Sequence, residues 1–214
     1  MNLLDALFCK FGTDKSSKQH NFAGIYHSAL EPIRFQTKKV LEIGIFGTTP
    51  ENSGASLKAW AEYFPNALVY GVDLYDYSFL NSSRIKTIVA DQGIIPGNLE
   101  HVVTTIGDGI DLIIDDGSHL MHHQQITLGY LFKYLKSGGC YIIEDLHTSY
   151  HEISNPTGTQ YNTMLMLELL RHSGVLLSDY ISETDKQYIQ QQLASCEIHK
   201  VTPFAAETAI LRKR

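Results

Sequence analysis

The sequence has no apolar run approaching the ~20 residues that a membrane-spanning helix needs, which excludes an α-helical membrane protein. Cysteine is scarce as well. Cys9, Cys140 and Cys196 are odd in number, far apart and set among apolar neighbours. A disulfide-built scaffold is therefore excluded, and buried free thiols in a reducing, cytoplasmic compartment are expected. Basic charge is in deficit, with 17 Lys and Arg against 23 Asp and Glu and a formal charge of −6. Apart from Arg212-Lys213-Arg214 the basic residues do not cluster, so the electrostatic footprint of a nucleic-acid partner is missing. The opening residues carry Asp5 and no basic leader, and read as an amphipathic helix instead of a signal peptide. Internal repeats and low-complexity segments are lacking too. A homo-oligomer is left open.

What is present is the material of one globular domain: 214 residues, 43% hydrophobic and 19% charged. Residues 1–35 read as an N-terminal helical cap in which Gly12 ends a first helix, a polar loop follows, and a second helix runs from Phe22 to Ile33. Short β-branched runs then alternate with helical stretches. Strands are expected at 39–44, 68–73, 85–91, 111–115 and 140–143, with helices at 53–64, 99–106 and 124–135 between them. Such β-α alternation implies parallel strands joined by right-handed crossovers. Residues 146–160 are too polar and broken for an element and too long for an idle connection, so a site-covering loop is expected. Helices at 160–173 and 185–194 and strands at 198–202 and 208–211 close the chain. The fold class is thus α/β: a Rossmann-like, doubly wound, mostly parallel seven-stranded sheet with helices on both faces and a C-terminal antiparallel pair.

Two of the apolar runs end in acids: Ile113-Ile114-Asp115-Asp116-Gly117-Ser118-His119 and Ile142-Ile143-Glu144-Asp145. Buried charge costs several kcal/mol unless it is paired, and the simplest partner for so many carboxylates is a divalent cation. Earlier strand ends have a second coherent set of roles. Gly44 and Gly47 allow a tight turn and close approach of a ligand. Asp73 is placed to accept both hydroxyls of a ribose, and Asp91, followed by Gln92, to accept from an adenine amino group. Glu42-Ile43-Gly44-Ile45-Phe46-Gly47 lacks the middle glycine of a dinucleotide fingerprint, and Glu42 would repel a pyrophosphate. A cationic nucleoside without phosphate, S-adenosylmethionine, suits that charge.

These motifs, together with Gly54-Ala55-Ser56-Leu57, Tyr63-Phe64-Pro65, Arg84-Ile85 and Leu146-His147-Thr148-Ser149-Tyr150, resemble those of class I S-adenosylmethionine-dependent methyltransferases. Among these, the sequence is most similar to the magnesium-dependent sugar O-methyltransferases of macrolide tailoring, over roughly residues 11–152. The resemblance implies Mg²⁺ held by Asp116, Glu144 and Asp145, His119 as general base, and a sugar hydroxyl as methyl acceptor. The residue chemistry agrees: hard oxygen ligands suit Mg²⁺, and an imidazole three residues past Asp116 can take a proton near neutrality. Asp115 is expected to hydrogen-bond in the loop or to hold the methionine end of the cofactor. Two alternatives stand beside this reading, an aromatic-diol O-methyltransferase and a non-catalytic cofactor-binding subunit. Aromatic walls contributed by the 147–160 loop would favour the first, and nucleoside binding without metal dependence the second.

Overall fold

Strand β1 (Lys39–Ile43) lies inside the sheet, hydrogen-bonded in parallel to β2 (Leu68–Asp73) on one side and to β4 (Ile110–Asp115) on the other. The computed structural model of the protein describes residues 1–45, 53–201 and 206–214. Beyond β2 lies β3 (Ile85–Val89), also parallel, and beyond β4 lies β5 (Leu135–Ile143). Two antiparallel strands, β6 (Leu193–Val201) and β7 (Ala206–Lys213), complete a seven-stranded sheet of order β3-β2-β1-β4-β5-β7-β6. The doubly wound sheet and antiparallel C-terminal pair expected from sequence are both present. Strand ends differ where glycine and polar residues masked them. β5 begins at Leu135, which pairs with Ile110, and regular pairing with β4 resumes at Cys140 after a register shift that spans Gly138-Gly139.

Helices cover both faces because the central strands are apolar on both. Every residue of β4 is buried. Leu112 and Ile114 point into a layer formed with α1 (Leu3–Phe11), α2 (Ala23–Leu30) and α3 (Ala55–Tyr63), where Phe8, Tyr26, Trp60 and Phe64 pack. Ile113 points the other way, into a layer with α4 (Glu100–Ile106), α5 (Met121–Leu131), α6 (Thr163–Ser173) and α7 (Glu183–Gln192). No helix among the described residues is long and apolar enough to cross a membrane.

Local chemistry fixes the ends of these elements. Asn2 caps α1 by accepting from the Asp5 N–H, and Gly12 closes it in the left-handed region. Asp5 then accepts from both the backbone N–H and the hydroxyl of Ser17, which ties the 13–22 connection back onto the first helix. Residues 146–150 and 152–154 form two short 3₁₀ turns.

Candidate active site

Four parallel strands end level with one another, pairing Ile43 with Val72 and Asp115, and Asp115 with Ile143. The strand order reverses at β1 and β4, where an open α/β sheet leaves a crevice beyond its carboxyl edge. A cleft of about 330 Å³ opens there. Gly44, the first residue past β1, adopts φ +83°, and a Cβ on it would overlap the carbonyl of Asp116. Close crossing of these two strand ends is therefore what requires glycine.

Asp73, Leu74, Ala90, Asp91 and Gln92 line the cleft. Asp73 Oδ2 accepts from the Ile45 N–H at 3.1 Å and Oδ1 from that of Tyr75 at 3.2 Å. Asp91 is turned by the Gly93 N–H, 2.8 Å from its Oδ1. Asp14, Asp116, His119 and Asp145 also line the cleft, while Ser118 and His123 sit beside Gln92 and Gly93. His119 Nε2 lies 3.5 Å from Asp145 Oδ2. Both residues hold positive φ, 57° and 54°, as non-glycine residues rarely do. Two such conformations facing one another signal a geometry held by its surroundings. Thr148 contributes to this, its hydroxyl donating to the carbonyls of Asp145 at 2.8 Å and His119 at 3.2 Å.

Asp115, Glu42 and Glu144 are buried and do not line the cleft surface, and strand alternation decides which way each faces. Asp115 follows Ile113 into the α4–α5 layer and is buried, accepting from Gln92 Nε2 at 3.0 Å. It lies behind the cleft wall, where burial pushes its carboxyl up to about 7. Glu42 points into the opposite layer, fully buried, and accepts from Ser56 Oγ at 2.7 Å and Trp60 Nε1 at 3.2 Å. It too is absent from the cleft surface. Gln92 does line the cleft, but its amide is engaged with Asp115, Thr127 and the Ser118 N–H. Gly47 lies outside the described residues, as does Phe46.

The same alternation gathers Glu42, Asp116 and Glu144 on one face. Their partner is a lysine that sequence reading passed over. Lys15 is 1% exposed, donates to Asp116 Oδ2, and stands 3.1 Å from Glu144 Oε2 and 3.8 Å from Glu42 Oε1. Burial opposes the charge on Lys15, but Asp116, Glu144, Asp14 and Glu42 together outweigh it and hold the ammonium well above the usual lysine range. One ammonium does not offset two buried carboxylates and a third at the cleft wall. Burial accordingly drives Glu42 up to about 7 and raises Glu144 well above the ordinary carboxylate range, against the pull of Lys15. The one sequence signal for Lys15 was the excess of acids needing a cation. Asp14 and His20, whose Nδ1 is 3.6 Å from Asp145 Oδ1, come from the same segment.

The donors that remain fit a hard dication. Carboxylate oxygens of Asp116 and Asp145 lie within 4.8 Å of one another and of a ring nitrogen of His119, which stands beside them. Glu144 Oε1 and Asp145 Oδ1 are buried without a hydrogen-bond partner. Unpaired carboxylate oxygens at such a depth are what Mg²⁺ ligation would satisfy.

Comparison with known proteins finds methyltransferases. The chain is 34% identical over 97% of its length to the L-olivosyl-oleandolide 3-O-methyltransferase of Streptomyces antibioticus, of which it spans 55%. It is 40% identical over 69% of its length to the 8-demethyl-8-α-L-rhamnosyl tetracenomycin-C 2′-O-methyltransferase of Streptomyces olivaceus, spanning 38% of that protein. Among solved structures, the methyltransferase MycE of mycinamycin biosynthesis, in complex with Mg, SAH and mycinamycin VI, superimposes on the whole chain with a TM-score of 0.82 and 28% identity, and 55% of MycE is covered. No protein-family model matches the chain. The chain spans about half the length, or less, of the curated relatives it matches. Its fold is that of the Rossmann-like methyltransferases, and in sequence it is a relative of the sugar O-methyltransferases of macrolide and tetracenomycin pathways.

Proposed function

We propose that the protein transfers the methyl group of S-adenosylmethionine to a hydroxyl of a sugar, with Mg²⁺ as cofactor. The observation that carries this reading is a single cleft lined by two chemically distinct groups. Asp73 and Asp91 form one, and Asp116, His119 and Asp145 the other. In this reading Gly44, Asp73 and Asp91 receive the nucleoside, and Glu42 and Asp115 support the walls from behind. Asp116, Asp145 and Glu144 are the residues that would hold Mg²⁺. When bound, the ion orients a vicinal diol and makes the reacting hydroxyl more acidic, while the sulfonium supplies the methyl group.

His119 has the part of general base, because its imidazole faces the cleft beside Asp145. Asp145 orients the ring and stabilises the imidazolium formed when the proton arrives. Positioning then accounts for much of the catalysis, since hydroxyl and methyl must be brought into line. The sugar reading is favoured over an aromatic diol because, among the described residues, no Phe, Tyr or Trp lines the cleft. The relatives named above act on rhamnosyl and olivosyl groups, so a rhamnoside is the acceptor of choice for a test.

The test titrates S-adenosylhomocysteine calorimetrically with Mg²⁺ and with EDTA, and follows label from S-adenosylmethionine into an α-L-rhamnoside. The expected result is cofactor binding in both buffers and transfer only with Mg²⁺. Absence of cofactor binding in both would overturn the methyltransferase reading. Transfer that survives EDTA and the Asp116→Asn substitution would remove the metal from it.

A further inference from the structure

From the arrangement of Lys15 on Asp116 and Glu144, we infer that this lysine is a built-in competitor for the metal: it neutralises those ligands and must leave Asp116 before a divalent cation can be held there. The inference rests on the metal reading above, and it concerns a residue that no part of that reading uses. Three observations support it. The Nζ atom contacts Asp116 Oδ2 and Glu144 Oε2, on two of the three carboxylates that would hold Mg²⁺. It approaches from the α1–α3 side of the sheet, with Glu42 as a third carboxylate 3.8 Å away that offers it somewhere to withdraw to. Its backbone belongs to a segment that the site also grips elsewhere, through Asp14 at the cleft and His20 beside Asp145.

An ammonium and a dication cannot share the same carboxylate oxygen at bonding distance without strong repulsion. Lys15 holds Asp116 Oδ2, so a cation that takes this oxygen displaces Lys15 toward Glu42. The neighbouring groups are known on every side: Asp14 from its own segment at 3.8 Å, Glu42 from β1, Asp116 from the β4 end and Glu144 from the β5 end. A positive charge between these acids lowers the field any metal feels, so Lys15 trades metal affinity for an acidic cluster that stays folded in low metal. It also couples loading to the 13–22 segment. That segment is held internally by hydrogen bonds from the N–H of His20 to the Asp14 carbonyl and of Phe22 to the Lys15 carbonyl, so a displaced lysine moves a preformed turn.

The experiment measures Mn²⁺ affinity by paramagnetic resonance, and Mg²⁺ affinity by competition with it, for the whole chain and for Lys15→Met and Lys15→Arg. Hydrogen exchange of residues 13–22 is followed with and without metal. Removing the charge in Lys15→Met should tighten Mn²⁺ binding at least about tenfold, whereas Lys15→Arg should not. In the unaltered chain, metal should raise exchange in 13–22. Because Lys15→Met leaves buried acids unpaired and can fail to fold, Lys15→Met/Glu42→Gln, which removes one charge of each sign, serves as the second variant and should also bind Mn²⁺ more tightly. Equal or weaker affinity in both variants overturns the competitor role while leaving the metal site standing, and so does unchanged exchange of 13–22. Failure of the unaltered chain to bind Mn²⁺ at all overturns the metal reading and this inference together.

Discussion

Substituting Gly44→Ala isolates the most constrained contact in the site. Two costs follow from the structure. Residue 44 sits at φ +83°, and a left-handed conformation costs an L-residue about 1–2 kcal/mol. The new Cβ would also collide with the Asp116 carbonyl and the Gly117 Cα, which are backbone atoms and cannot rotate aside. Forcing such an overlap apart adds about 2 kcal/mol. The sum is about 3–4 kcal/mol, which for a chain of this size lowers the melting temperature by about 10 °C. Gly12 is the control, because it has φ +77° but nothing within 4 Å of an added Cβ. Gly12→Ala should bear only the conformational part and lose about 4 °C. Thermal unfolding by circular dichroism reads both, and calorimetry of S-adenosylhomocysteine should show weakened binding for Gly44→Ala alone. If the two variants melt within about 2 °C of each other, the close crossing of β1 and β4 is not what selects glycine, and the reasoning fails.

Other predictions follow from single features. His119→Ala should lower kcat by about 10²–10⁴ with Mn²⁺ and S-adenosylhomocysteine affinities unchanged; a collapse of Mn²⁺ affinity would make His119 a ligand and remove it as the base. Arg84 donates to the carbonyls of Ala61, Phe64, Pro65 and Ala67 at 2.6–2.9 Å, closing the end of α3. Arg84→Ala should cost about 3 kcal/mol in urea unfolding, and Arg84→Lys should recover little because a point ammonium cannot span four acceptors; a loss below about 1 kcal/mol in Arg84→Ala contradicts this. Burial pushes the Cys140 thiol up to about 12 from an unfolded value of 9.0, so the native state keeps its proton where the unfolded chain releases it. Stability should fall as pH rises through 9 and level off toward 12, with a slope approaching about 1.4 kcal/mol per pH unit from this group. Cys140→Ala should lack that part of the slope, and parallel stability curves for the two proteins between pH 8 and 10.5 would count against the burial effect.

The fold was legible because each parallel strand is a short apolar run and each ends in glycine or an acid, two signals that reinforce one another. Boundaries were less so. α5 runs Met121–Leu131, where about 124–135 was expected; His122 and His123 lie on it, and its C-terminal end passes into a 3₁₀ turn at Phe132–Tyr134. The two C-terminal strands run several residues past their apolar centres, since pairing in a hairpin extends through polar residues such as Glu197 and Lys200. At the site, acids were found but not their facing. The two-residue alternation of β1 and β4 separates Asp115 from Asp116 and places Glu42 with Asp116, a facing that the run of acids alone does not reveal. Lys15 was hidden for a different reason. It reaches the cluster from a loop about a hundred residues away in sequence, and no local pattern records so distant a pairing.

The strand order at the C-terminal edge has a consequence for how the chain is made. β7 lies between β5 and β6, so β6, synthesised earlier, joins the sheet only through β7. While α6, α7 and β6 emerge from a ribosome, β5 presents an open apolar edge, Cys140-Tyr141-Ile142-Ile143, to any other nascent strand. Variants that delay the insertion of β7 should therefore be lost to co-translational aggregation, in cells, well before their purified form shows any defect in the cleft.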